Sequence, residues 1–173
     1  MKKILCLLAA LCLLMSLAAC NSGTPAQTTA PAATNAPAAQ AEGYNFTVNG
    51  TKISMHAAAA PIVAALGEAK NYTEQTSCAF EGIDKTYYYG SFYMTTYPMK
   101  DADYVFSLWF ADDSVTTEEG IYVGATQAAV EAAYGASGYN GSNAYIMTKG
   151  QTKLTIILEA GVVTSIQYDA LTE

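Results

Sequence analysis

Arginine is absent from this chain, and positive charge is scarce: eight lysines face fifteen acidic residues, for a net charge of −7. A nucleic-acid binder needs a basic footprint to release condensed counterions, so that class of partner is excluded. Protein charge cannot supply attraction to anionic headgroups either. Histidine occurs once, as His56. A metal centre needs several converging ligands, and acid–base catalysis needs an oriented partner for the imidazole. Neither surrounds His56 in sequence, so it reads as a loop residue at the start of a helix. Asp112-Asp113 and Glu118-Glu119 lack the alternating ligand spacing of a calcium loop and read as a solvated acidic connector rather than a carboxylate pair for glycoside hydrolysis. Gly120-x-x-x-Gly124 has no Lys-Ser/Thr after it and is no phosphate loop. The chain is therefore expected to be no enzyme, with no cofactor and no metal.

What is present begins with a targeting pattern. Lys2 and Lys3 precede an apolar run from Ile4 to Ala19 broken only by Ser16, and the run ends in Leu17-Ala18-Ala19-Cys20. A run of this length is shorter than the ~20 apolar residues of a membrane span and has the form of a secretory signal. Its ending resembles the bacterial lipobox. That resemblance implies a signal peptide over residues 1–19, cleavage before Cys20, and a diacylglycerol on its thiol. The expected location is the extracytoplasmic face of the cell membrane, held through the N-terminal lipid; more than one acyl chain makes such anchoring stable. Cys6 and Cys12 leave with the signal, so Cys78 has no partner for an intramolecular disulfide. In Ser77-Cys78-Ala79-Phe80 it reads as a small buried hydrophobe in a strand. From Asn21 to Glu42 the chain is Ala, Thr, Pro, Ser, Asn, Gln and Gly without aromatics, a composition expected to form a disordered tether.

All thirteen tyrosines, the five phenylalanines and the single tryptophan, Trp109, fall in residues 43–173, which are expected to form one α+β domain. Tyr44 to Val48 alternates, Asn49-Gly50 is a strong hairpin signal, and Thr51 to Met55 is the return strand. Gly120 to Gly135 reads as a short strand, a glycine turn, a helix capped by Thr126 and a glycine stop. An echo runs from Ile53 to Gly67 without gaps. Ile53 aligns with Ile121, His56 with Gly124, Ala58 with Thr126, Ile62 with Val130 and Gly67 with Gly135. Pro61 then falls in the first turn of the earlier helix, where its missing N–H has no helical partner anyway. Each helix is followed by strand-like material. In the second copy this is Ala144–Thr148, Thr152–Leu158 and Val162–Tyr168, a three-stranded meander. In the first it is Ser77–Phe80, Lys85–Tyr97 and Asp103–Ala111, with Gly90-Ser91 as either a bulge or a tight hairpin. Ten extra residues separate helix and last strand in the first copy. The expectation is two tandem repeats, about 44–113 and 120–173, with both helices on one face of an antiparallel sheet.

Gly124-x-Thr126-x-x-x-Val130-x-x-x-Tyr134-Gly135 followed by a meander resembles the small bacterial lipoproteins of outer-membrane β-barrel assembly. Used twice, it is similar to the β-lactamase inhibitor protein fold. The resemblance implies an open sheet face free for protein partners; the stretch from Ser77 to Gly135 also looks like a group of uncharacterised bacterial lipoproteins. Simple alternation puts Tyr104, Phe106, Leu108 and Phe110 under the helices, and Val105, Ser107 and Trp109 on the open face beside Tyr93, Thr95 and Tyr97. Val163, Ser165 and Gln167 take the matching open positions in the second copy. Trp109, Tyr93, Tyr97, Val105 and Ser107 are thus the candidate partner-binding residues. The expected function is a non-enzymatic envelope lipoprotein that binds a protein or peptide. A glycan-binding wall sensor and an inhibitor of a secreted enzyme are the alternatives.

Overall fold

The computed structural model describes residues 43–172; the signal segment, Cys20 and the tether expected from the sequence lie outside them. The architecture is α+β. A two-stranded hairpin, β1 (Asn45–Val48) and β2 (Thr51–Ser54), leads into helix α1 (Ala59–Leu66). Strands β3 (Asn71–Thr76), β4 (Ile83–Tyr88), β5 (Phe92–Met99) and β6 (Ala102–Phe110) follow. Helix α2 (Gln127–Tyr134) then precedes β7 (Ala144–Lys149), β8 (Thr152–Glu159) and β9 (Val162–Ala170). Strands β3 to β9 form one open antiparallel sheet in the order β3-β4-β5-β6-β9-β8-β7.

Local chemistry sets these elements. Asn49 and Gly50 both have positive φ, 49° and 77°, the geometry of a tight hairpin turn whose twist matches its strands. Thr126 caps α2 by accepting a hydrogen bond from the Ala129 amide, and Gly135 ends the helix at φ 78°. Ala58 stands at the same place before α1 and has no side-chain cap. Thr126→Ala is therefore expected to cost about 1 kcal/mol of stability, and Ala58→Ser to add a similar amount, both read from urea denaturation midpoints.

The two halves are built by the same bonds. The His56 amide donates to Val105 O and the Val105 amide to Ala57 O, both at 2.9 Å. The Gly124 amide donates to Val163 O and the Val163 amide to Ala125 O, both at 2.8 Å. Isolated bridges join Ala58 to Tyr104 and Thr126 to Val162. Each last strand carries a one-residue bulge at the matching place: Phe106 is skipped between β5 and β6, and Thr164 between β8 and β9. Tyr72 lies against Tyr87, and Tyr139 against Tyr145, each pair with ring centroids 5.0 Å apart. The sheet is continuous between the halves through β6 and β9, where Trp109 pairs with Gln167, the residue at its own position in the second half.

Several expected elements are corrected. The ten extra residues of the first half accommodate β3, a strand the sequence conceals because all six of its residues are exposed and none needs an apolar face. Ser77–Phe80 is the β3–β4 connection, not a strand, and Cys78 is exposed in it. Lys85–Tyr97 is two strands joined by a tight hairpin. Gly90 at its tip has φ 99°, a backbone conformation that favours glycine and strains any other residue. Gly120–Val123 forms no strand; Ile121 is buried and its amide bonds to the Thr117 hydroxyl.

The core lies on one side of the sheet. Phe92, Met94, Val105, Leu108, Leu154, Ile156, Val163, Ile166 and Tyr168 are buried there together with Phe46 and Ile53 of the hairpin, Ile62 of α1 and Val130 of α2. Thr96, Ser54, Thr117 and Thr152 are polar residues buried alongside.

Candidate functional site, the uncovered sheet face

The bulge at Phe106 decides which side chains reach the other face. One skipped residue reverses alternation on everything beyond it. Leu108 and Phe110 point into the core as expected, but Val105 does too, at 0% exposure opposite Thr96. Val105 is therefore not on the open face. Tyr104 and Phe106, expected under the helices, turn outward to Tyr97, with centroids at 5.9 and 5.8 Å. The bulge at Thr164 likewise sends Val163 inward.

Tyr97 lies on the outward side but is only 3% exposed. Phe80 of the β3–β4 connection covers it at 4.6 Å. His56 completes this cap: its Nδ1 is 2.9 Å from the Tyr97 hydroxyl and its Nε2 is 3.1 Å from Leu171 O. Both ring nitrogens are thus engaged in holding the chain together. Burial also pushes the Tyr97 phenol above its ordinary pKa.

The remainder of the face is uncovered, and two rows of side chains cross it. Register places Asn71, Tyr88, Tyr93, Trp109, Gln167, Thr155 and Ile146 side by side, one from each of the seven strands. The neighbouring row is polar: Thr73, Thr86, Thr95, Ser107, Asp169, Lys153 and Thr148. Within it, the Thr95 and Ser107 hydroxyls are 2.7 Å apart, and Lys153 pairs with Asp169 at 3.1 Å. Ser107 faces outward as expected but is 6% exposed, so it supports the row more than it contacts solvent.

Tyr88, Tyr93 and Trp109 form a ladder. Tyr88 stacks on Tyr93 at 4.4 Å and 24°, and Tyr93 on Trp109 at 4.8 Å and 10°. These separations match the strand spacing of ~4.7–4.9 Å, so the rings stand upright on the sheet with their faces against one another. Their edges point to solvent. Beyond Trp109 the surface steps down to Gln167, then rises to Ile157 and Ile146, which are 36% and 49% exposed. Tyr88 and Ile146 were not singled out in the sequence. The signal for Tyr88 was present, since recognising Gly90-Ser91 as a two-residue turn pairs it directly with Tyr93.

The acidic connector holds itself in place. Glu118 accepts from Thr47, Glu119 from Tyr134, and Asp112 from Ser114. Those bonds from Ser114 keep the Asp112 carboxyl below its ordinary pKa. Among the described residues no group of three or more His, Cys, Asp and Glu is arranged to hold a metal ion. No helix among them is long and apolar enough to cross a membrane. Comparison with protein-family profiles, curated proteins and solved structures finds no significant match.

Proposed function

We propose that this chain is a lipid-anchored protein of the cell envelope whose folded domain binds a protein or peptide partner on the uncovered sheet face. The observation that carries this reading is the upright ladder of Tyr88, Tyr93 and Trp109, continued across the sheet by Ile157 and Ile146. Stacked rings are held rigid before binding, so they lose little side-chain freedom when a partner covers them. Tyr and Trp are also the residues on which interface energy concentrates.

The same geometry favours a protein partner over a glycan. A sugar stacks on a ring face, and here the faces of Tyr93 are spent on its two neighbours. The exposed edges and exposed isoleucines suit side chains of a polypeptide. The recurring bonds of the two halves support descent from one duplicated unit, and with it the resemblance to the tandem inhibitor fold and the small assembly lipoproteins. The Lipobox-like Leu17-Ala18-Ala19-Cys20 supports attachment at Cys20 and the extracytoplasmic location. A role without catalysis fits the engagement of His56 and of Glu118 and Glu119 in internal bonds.

The test places a photocrosslinking residue at Thr155 and exposes the chain to its native envelope. A discrete adduct is expected, and Trp109→Ala should weaken it at least 10-fold while leaving the circular dichroism spectrum unchanged. An adduct indifferent to Trp109→Ala overturns the reading. So does the absence of any adduct, and a Trp109 fluorescence response to wall fragments in that case favours the glycan alternative.

A further inference from the structure

On the other side of the sheet, the two halves also differ beneath their helices. In the second half, α2 reaches down to the sheet with polar side chains. The Tyr145 hydroxyl donates to Glu131 at 2.8 Å, and Gln127 Nε2 donates to Glu131 at 3.1 Å and to Tyr145 at 3.3 Å. In α1 the positions of Gln127 and Glu131 are held by Ala59 and Val63, while the tyrosine is retained as Tyr87. The clamp is gone but its tyrosine remains. A second difference falls on the same spot: the β5–β6 hairpin runs two residue pairs further than β8–β9, adding Pro98 opposite Asp103 and Met99 opposite Ala102.

Small side chains on one wall and an extended hairpin on the other leave a cleft of about 490 Å³. Alanines 58, 59, 60 and 64 with Val63 form the helix wall, Tyr87 the floor, and Asp101 to Asp103 the hairpin wall. That volume is in the range of small-molecule sites. Its electrostatics select the ligand. Asp103 is bonded to Lys85 at 2.6 Å, which raises the Lys85 pKa and cancels one charge. Asp101 has no ion-pair partner among the described residues, Glu74 on β3 is the cross-strand neighbour of Lys85 on β4, and Lys100, next to Asp101, does not line the cleft. The surplus is negative. Methyl groups on one side, a phenol ring below and an unpaired carboxylate at the rim suit a compact apolar body bearing one positive charge.

We infer that this cleft is a binding site for a small organic cation, a primary amine on a short apolar or aromatic body. It lies across the sheet from Trp109 and stands independently of the partner-binding reading. The test is an NMR titration of the full chain, following Tyr87 and the α1 alanine methyls, with three probes of one shape: phenethylamine, neutral 2-phenylethanol and anionic phenylacetate. Phenethylamine is expected to saturate on the order of 1 mM, and the other two at least 5-fold more weakly. Ala60→Leu, a helix-compatible change at an exposed position, fills the cleft and should weaken phenethylamine at least 10-fold. Asp101→Asn should remove the preference for the amine over the alcohol. Equal binding of the three probes, indifference to Ala60→Leu, or no saturable shift up to roughly 20 mM each overturns the proposal.

Discussion

Replacing Phe46 by alanine is expected to remove about 3–5 kcal/mol of stability. Phe46 belongs to the β1–β2 hairpin, which shares no strand pairing with the seven-stranded sheet. What joins the hairpin to the sheet is burial. Phe46 and its cross-strand partner Ile53 are both fully buried, and the Phe46 ring meets Phe92 edge-on and Phe110 at a tilt, each at 5.1 Å. Truncation forfeits the transfer free energy of the ring, leaves a void between two large neighbours, and loses two aromatic contacts of about 0.5–1.5 kcal/mol each. In urea denaturation the midpoint should fall with the slope unchanged, because the surface exposed on unfolding is nearly the same. A loss below about 1 kcal/mol would mean that the hairpin is peripheral to the fold.

The second large effect is a loss of stability at alkaline pH. Burial, reinforced by the nearby Tyr134, Glu119 and Glu118, drives the Tyr168 pKa far above its ordinary value. Burial and a hydrogen bond to Glu119 do the same to Tyr134. An unfolded tyrosine ionises near pH 10, whereas these two stay neutral in the folded chain well beyond that. Unfolding therefore releases their protons above pH 10, and stability falls from there upward while remaining level below. At pH 12 Tyr168 alone should account for roughly 2–3 kcal/mol. Tyr168→Phe supplies the control. It should flatten that part of the profile and raise stability at pH 7 by about 1 kcal/mol, since the buried Tyr168 hydroxyl has no hydrogen-bond partner among the described residues. Far-UV circular dichroism in urea at stepped pH measures both. An unchanged alkaline profile in the variant would refute the assignment.

The parts of the fold legible in the sequence are those fixed by short-range chemistry. Asn49-Gly50, the Thr126 cap, Gly67 and Gly135 each impose a backbone geometry within a few residues, and the structure has the corresponding turn, cap and helix ends. The second-half meander was legible because Lys149-Gly150 and Ala160-Gly161 punctuate alternating strands. The bulges were not. Nothing in the local composition of Phe106 or Thr164 announces a skipped residue, yet each skip reverses the strand beyond it, and that moved Val105 and Val163 into the core. Strand β3 was hidden for the opposite reason: with both of its faces in water, it carries no periodicity to read. Of the candidate surface residues, Trp109 and Tyr93 lie in the ladder, Ser107 supports the polar row, and Tyr97 is roofed by Phe80 through a loop contact that no strand pattern encodes.

The pairing of Trp109 with Gln167 has a further meaning. A surface assembled from two like halves would receive an extended polypeptide equally well in either direction, because reversing the guest would present it with the same neighbours. At the seam between the halves the two counterparts are instead a bulky indole and a slender amide, with the tyrosines ranked behind the indole on one side and the isoleucines beyond the amide on the other. On the partner-binding reading proposed above, the face would distinguish head from tail and give a guest strand laid across it one preferred polarity.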